Sequence, residues 1–233
     1  MTEQAAAPRR TPLSRERVLQ AAVVLADDAG SESLSMRKLA QELGVVPMAL
    51  YKHVANKEEL LDGMVDVVVG EIDPPIRGAG WKLAVRQRIL SARRALLRHP
   101  WASQVIESRT TPTPAGLEYL NSMIGMFREG GLSVGLTHHV MHAMGSRILG
   151  FSQELYTGSP AAADPQMQEA MARELAGRYP YVAEIATAAA HAEDSVVGSG
   201  CDDQFEFEFA LDLLLDGIEA LHRRGWTPAA PER

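Results

Sequence analysis

Residues 34–57 read LSMRKLAQELGVVPMALYKHVANK, and this stretch decides the fold. Ser35 is placed to cap a helix that carries Leu39, Ala40 and Leu43 on one face, and Gly44 supplies the left-handed stop at its end. After Gly44-Val45-Val46, Pro47 opens a second helix at the one position where its missing N–H is harmless. That helix turns Leu50 and Val54 inward and leaves Met48, Ala49, Tyr51, Lys52 and His53 outside. Asn56, followed three residues later by Glu59, forms a capping box. The second helix therefore stops near Val54 after about two turns, and a longer helix starts at Lys57.

A helix of that length is unstable alone, so tertiary packing must hold it while one polar and aromatic face points outward. This is the geometry of a helix-turn-helix, in which the second helix enters the DNA major groove and the flanking helix ends contact phosphates. Ser35, Arg37, Pro47, Met48, Ala49, Tyr51, Lys52, His53 and Lys57 are the candidate DNA-binding residues. Arg37, Lys52 and Lys57 supply cations at the edges, and Tyr51 and His53 offer hydrogen bonds to phosphates or base edges. An ordinary helical hairpin with a solvated charged face is the alternative reading. The tight turn and the absence of acids on the outward face favour DNA.

The same residues resemble the N-terminal domain of the tetracycline-repressor (TetR) family. The family pattern of a small polar residue, Arg-Lys-Leu-Ala, Leu-Gly-Val, Leu-Tyr-x-His-Val and Asn-Lys stands here as Ser35, Arg37 to Ala40, Leu43 to Val45, Leu50 to Val54 and Asn56-Lys57. The resemblance is close over residues 14–62. Beyond that it follows the tetracycline-repressor branch through helix order and a few positions. Pro47, Met48 and Ala49 replace polar base-reading residues of that repressor, which implies a different operator, with Met48 and Ala49 suited to thymine methyl groups.

Composition is that of a globular chain: 233 residues, 46% hydrophobic and 23% charged. No apolar run approaches the ~20 residues needed to span a bilayer, and MTEQAAAPRRTPL lacks the apolar core of a signal peptide, so a cytoplasmic location is expected. The single cysteine, Cys201, has no internal disulfide partner, and Asp202 and Asp203 beside it disfavour a thiolate. The net charge of −7 is unevenly spread. Through Lys57 there are eight Lys and Arg against six Asp and Glu, and beyond it fifteen against twenty-four. The basic part is thus the helix-turn-helix part, with Arg9 and Arg10 adding cations just before it.

Taken in order, residues 1–13 read as a disordered basic arm, and Ser14 caps a first helix that Gly30 ends. The helix from Lys57 runs toward Ile72 and breaks at Asp73-Pro74-Pro75. Further helices are expected over 81–99, 114–128, 133–156, 166–176, 181–191 and 204–223, with loops at 157–165 and 193–203. The FEFEF opening of the last segment alternates like a strand, but its apolar positions continue at helical spacing. The fold class is all-α: a three-helix DNA-binding domain over 14–62, a larger helical ligand-binding and dimerisation domain over 63–225, and a tail over 226–233.

Phe205, Phe209 and Leu213 form a stripe beside the main apolar face of the last helix, so this helix needs two partners. The second is expected to be the same helix of another chain, with a neighbour from each completing a four-helix bundle. The methionines and aromatics of the middle helices, among them Trp101, Met123, Phe127, Met141 and Phe151, suit both a core and an adaptable ligand cavity. Arg109 and Arg147 are cations in apolar surroundings, either ion-paired or available to a ligand carboxylate.

Two effector positions are implied by the resemblance alone. His99 follows an Ala-Leu-Leu-x run as the family's metal-ligating histidine does, and Glu154 stands where an acidic residue of the partner subunit completes that site. Where the repressor has a drug-contacting histidine this chain has Ile72 or Asp73, which argues against tetracycline itself. His138 and His142, four apart, share a helix face as metal ligands do, yet no Cys or HExxH-type companion accompanies them. No metal or cofactor is therefore expected. Phosphate-cradling glycine loops, nucleophile elbows and paired-cysteine sites are all missing from the sequence, so an enzyme is not expected. The function implied is a repressor that binds a palindromic double-stranded DNA operator as a homodimer and is released by a small apolar effector. Control by a protein partner and an all-helical small-molecule-binding protein or enzyme are the alternatives.

Overall fold

The computed structural model describes residues 12–150 and 203–228, with residues 173–174, 176–181 and 183–184 between them. The Ser14 hydroxyl accepts the Arg17 N–H at 3.2 Å and opens α1, Arg15–Ala29. Ser35 does the same for Lys38 at 3.2 Å and opens α2, Met36–Leu43. Gly44 ends α2 at φ 66°, ψ 35°, and the Gly44 and Val45 N–H groups return to Gln41 O and Ala40 O. Those two bonds make a Schellman motif, which a residue with a Cβ would enter only with strain.

Helix α3, Pro47–Leu50, is shorter than the two turns expected. Tyr51 to His53 form a turn instead, because the His53 N–H bonds back three residues to Leu50 O and tightens the chain. The Val54 N–H also reaches Leu50 O, so Val54 is still delivered to the core, where it is 1% exposed. Asn56 caps α4, Lys57–Gly70, by accepting the Glu59 N–H at 2.8 Å. The Glu59 carboxylate reaches back to the Ala55 N–H, one residue earlier than the usual box. Helix α4 stops at Gly70, with Glu71 as its C-cap, two residues before the end expected. Within α4, a Cβ on Gly63 would stand 2.6 Å from Leu19 Cδ2, so this mid-helix glycine lets α1 and α4 approach closely.

Helix α5, Trp81–Arg98, stops ahead of Pro100 with His99 as its C-cap, one residue before the end expected. A further helix not expected from sequence, α6, Trp101–Glu107, follows at once and buries Trp101, Ala102 and Val105. Seven residues give too few turns for a periodic signal. Thr113 caps α7, Pro114–Glu129, and α8 covers Val134–Ile148 with a non-helical kink at Gly145, φ 33°. Helix α9 is Asp203–Arg223, so the FEFEF segment is helical.

One hydrophobic cluster joins Val18, Leu39, Leu50, Val54, Leu60 and Met64 to Ala95, Leu96, Trp101 and Val105. The helix-turn-helix unit is thus packed through α4 onto the end of α5 and onto α6. The chain divides into two compact units, Met1–Phe151 with Thr227–Arg233 and Ser152–Trp226, so α1 to α8 lie in the first and α9 in the second. Within α9, Phe207, Leu211, Leu215 and Ile218 are buried. Among the described residues there is no strand, and no helix is long and apolar enough to cross a membrane.

Candidate functional site

The candidate nucleic-acid face is built on a buried seam. Leu39, Leu50 and Val54 are at most 1% exposed, which fixes the orientation of the short α3. The side chains it turns out are Met48, 72% exposed, and Tyr51, 44% exposed, with Pro47 and Lys52 also exposed and Ala49 and His53 half-buried. Ser35 at the N-cap of α2, Arg37 on α2 and Lys57 at the start of α4 are exposed at its edges. Two further residues join this face without having been singled out from sequence: Val46, 67% exposed at the N-cap of α3, and Lys38, exposed beside Arg37. The signal for Val46 is its place just before Pro47, where a β-branched residue in extended backbone has no helix face to turn into.

His99 sits in a polar clasp that ties together α1, the end of α4 and α5. Its Nδ1 is 2.8 Å from Asp27 Oδ1 and its Nε2 is 3.2 Å from each Glu71 carboxylate oxygen. Trp101 Nε1 donates to the same Asp27 oxygen at 2.7 Å, and Arg98 donates to Glu71 at 2.7 Å. Burial alone would raise the Glu71 carboxyl, but hydrogen bonds from Arg98 and His99 and their charges hold it below its ordinary value. Asp27, near the C-terminal end of α1, stands where the helix dipole disfavours a carboxylate, and that misplacement is the sequence signal for a charged or donating partner. Next to the clasp the Ser91 hydroxyl and Arg94 bind the Asp73 carboxylate at 2.8 Å each and lower its pKa, pinning the loop after α4 to α5.

A cavity of about 270 Å³ lies beside α4. Val65 and Val69 of α4, Ile106 of α6, Leu120 of α7 and Leu149 form its apolar wall. Arg109, Thr110 and Thr113 line it with polar groups. Of the residues expected at an effector site, Arg109 borders this cavity. Its Nη1 donates to Glu58, and its Nε is 3.0 Å from Asp62 Oδ1. Met123 and Phe127 are wholly buried in the packing of α7, whereas Met141 and Arg147 of α8 are half-buried. Burial and the nearby Arg93 lower the Arg147 pKa. Phe151 and Glu154 lie outside the described residues, as do Cys201, the arm through residue 11, and most of the segments expected as helices at 166–176 and 181–191.

His138, His139 and His142 are exposed on α8, with the rings of His138 and His142 edge to face at 4.6 Å. No group of three metal-ligating side chains occurs among the described residues. On α9 the expected second stripe is open to solvent: Phe205 is 62%, Phe209 59% and Leu213 64% exposed.

Residues 18–64 match the sequence model described as bacterial regulatory proteins of the tetR family, and residues 74–222 match the tetracyclin repressor-like C-terminal domain. The HTH-type transcriptional repressor DrrR1 of Streptomyces coeruleorubidus is 32% identical over 94% of this chain and 83% of its own length. The class D tetracycline repressor protein of Escherichia coli is 33% identical over 68% of this chain and 78% of its own. The crystal structure of the Streptomyces coelicolor TetR family protein ActR in complex with (S)-DNPA is similar with a TM-score of 0.68 at 25% identity, covering 91% of this chain and 100% of that one. With a helix-turn-helix at its head and both family models matched in order along most of its length, the chain belongs to the TetR family of bacterial transcriptional regulators.

Proposed function

We propose that this protein is a transcriptional repressor that binds a palindromic operator as a homodimer and lets go when a small, largely apolar effector enters the cavity beside α4. The observation that carries the reading is the exposed face of α3, Met48, Tyr51 and Lys52, held on a buried Leu50–Val54 seam and flanked by Arg37 and Lys57. One such face spans half a site, so a two-fold pair is needed to read a full operator. The exposed Phe205, Phe209 and Leu213 stripe of α9 supplies a self-complementary apolar contact for that pair. Residues 14–62 would read DNA and residues 63–225 would bind the effector and dimerise, in the cytoplasm where the operator lies.

Helix α4 is the coupling element, because it starts at Lys57 beside the reading face and lines the cavity with Val65 and Val69. A tenfold loss of operator affinity requires about 1.4 kcal/mol of differential binding between the two states. The DNA contacts are tested by fluorescence anisotropy on operator and unrelated duplexes across a salt series. Lys57→Ala weakens both alike and lowers the slope of log K against log salt by about 1, while Met48→Ala leaves the slope unchanged and alters preference at one base step. An unchanged slope for Lys57→Ala would remove that residue from the interface.

A further inference from the structure

Glu58, Asp62 and Asp66 are spaced four apart, so they form one acidic row along α4. The stretch from Arg109 into the first turn of α7 lies against that row. Asp66 accepts the Ala115 N–H at 3.1 Å, Asp62 is 3.0 Å from Arg109 Nε, and Glu58 accepts from Arg109 Nη1. Arg109 is nevertheless poorly served. Its side chain is 16% exposed, and its buried Nε and Nη2 have no aligned hydrogen-bond acceptor, since the Asp62 contact is close without being directed. A guanidinium is a planar fork best matched by two oxygens of one carboxylate, and a buried donor left unmatched costs about 1–3 kcal/mol.

The Glu58 side chain, by contrast, is 69% exposed, and a pair with one exposed member is held weakly enough to exchange. The same Arg109 borders the cavity that Val65, Val69, Ile106 and Leu120 also line. We infer that the cavity takes an organic acid, with its ring or chain among these apolar residues and its carboxylate on Arg109, which it takes over from Glu58 and Asp62. The inference rests on the reading of the chain as an effector-released repressor and names the effector's chemical class. Exchange at Arg109 frees the first turn of α4 from the segment before α7. That turn carries Lys57, one of the proposed DNA contacts, and follows the Asn56 cap a few residues after α3 in the chain, so the head group of the effector acts on the part of α4 that bears a DNA contact.

The test is calorimetric titration of the full chain with 1-naphthylacetate and with its uncharged isostere 1-naphthylacetamide. The acid should bind at least tenfold more tightly than the amide, and Arg109→Met should erase the difference. Removing the competitors in a Glu58→Gln, Asp62→Asn double variant should tighten the acid about tenfold and leave the amide unchanged. This gain of affinity keeps the test decisive if the Arg109 variant folds poorly. Equal binding of acid and amide, a preference that survives Arg109→Met, or no binding of the acid at millimolar concentration would each overturn the inference. Operator release is measured separately by anisotropy. Release by acid and amide alike would retain effector-released repression and overturn the anion site, whereas selective acid binding without release would retain the site and overturn that mode of repression.

Discussion

Phe209→Glu yields a monomer at micromolar concentration and lowers operator affinity by at least about 100-fold. Phe205, Phe209 and Leu213 lie four apart on α9, and all three are more than half exposed, while Phe207, Leu211 and Leu215 on the adjacent face are at most 2% exposed. The two sets cannot share one core. Covering a large apolar side chain is worth about 1.5–3 kcal/mol, and a carboxylate at the centre of the stripe replaces that gain with a desolvation penalty in both chains. Loss of the pair separates the two reading heads, and each then binds a half-site without help from the other. Because Phe209 is 59% exposed within the chain, the variant keeps its helical circular dichroism. Sedimentation velocity reads the first effect and anisotropy the second. A wild-type protein that sediments as a monomer at micromolar concentration contradicts the dimer, and a dimeric Phe209→Glu moves the interface off α9.

Leu50→Ala has the largest effect on stability near the DNA face. Leu50 is fully buried on a helix of four residues, and it receives the N–H groups of both His53 and Val54 at its carbonyl. Truncation leaves a cavity under α3 that the short helix has no length to absorb, costing about 2–5 kcal/mol and lowering Tm by roughly 5–15 °C. Met48, two residues earlier on the same helix and 72% exposed, sets the contrast: Met48→Ala leaves Tm within about 2 °C. Differential scanning calorimetry of the two variants separates the residue that holds the reading helix from the residue it presents. Equal Tm losses would mean that Met48 is packed and the face is wrongly assigned.

What the sequence made legible is what depends on near neighbours along the chain. The caps at Ser14, Ser35 and Asn56, the left-handed Gly44 and the Pro47 start each act within a few residues, so they can be read without knowing the fold. The outward position of Met48, Tyr51 and Lys52 follows from the helical spacing of Leu50 and Val54. The tightening after Leu50 was not legible, because residues 51–53 have no helix-breaking side chain and the turn is set by the packing of Val54. Helix α6 was hidden by its length and by Pro100, a stop signal that also serves as the N-cap of the next helix.

Side-chain partnerships across the fold were hidden for a different reason. His99 meets Asp27 across 72 positions and Arg109 meets Glu58 across 51, and nothing local encodes either pairing. Burial of His99 among carboxylates looks, from sequence, the same as a histidine kept free for a ligand. The sequence leaves Arg109 open between an ion pair and a carboxylate binder, and the geometry pairs it with Glu58 and Asp62 while two buried nitrogens stay unmatched.

Two copies of the α3 face are proposed to read one symmetric duplex. The most direct measurement is selection of genomic fragments by the purified full-length protein, followed by sequencing of what is retained. The expected result is enrichment of an inverted repeat whose half-sites lie one helical turn or a multiple of it apart, protected as a unit and lost with Phe209→Glu. Retention of fragments with no common inverted repeat, or of a single half-site bound as tightly by Phe209→Glu as by the wild type, would contradict it.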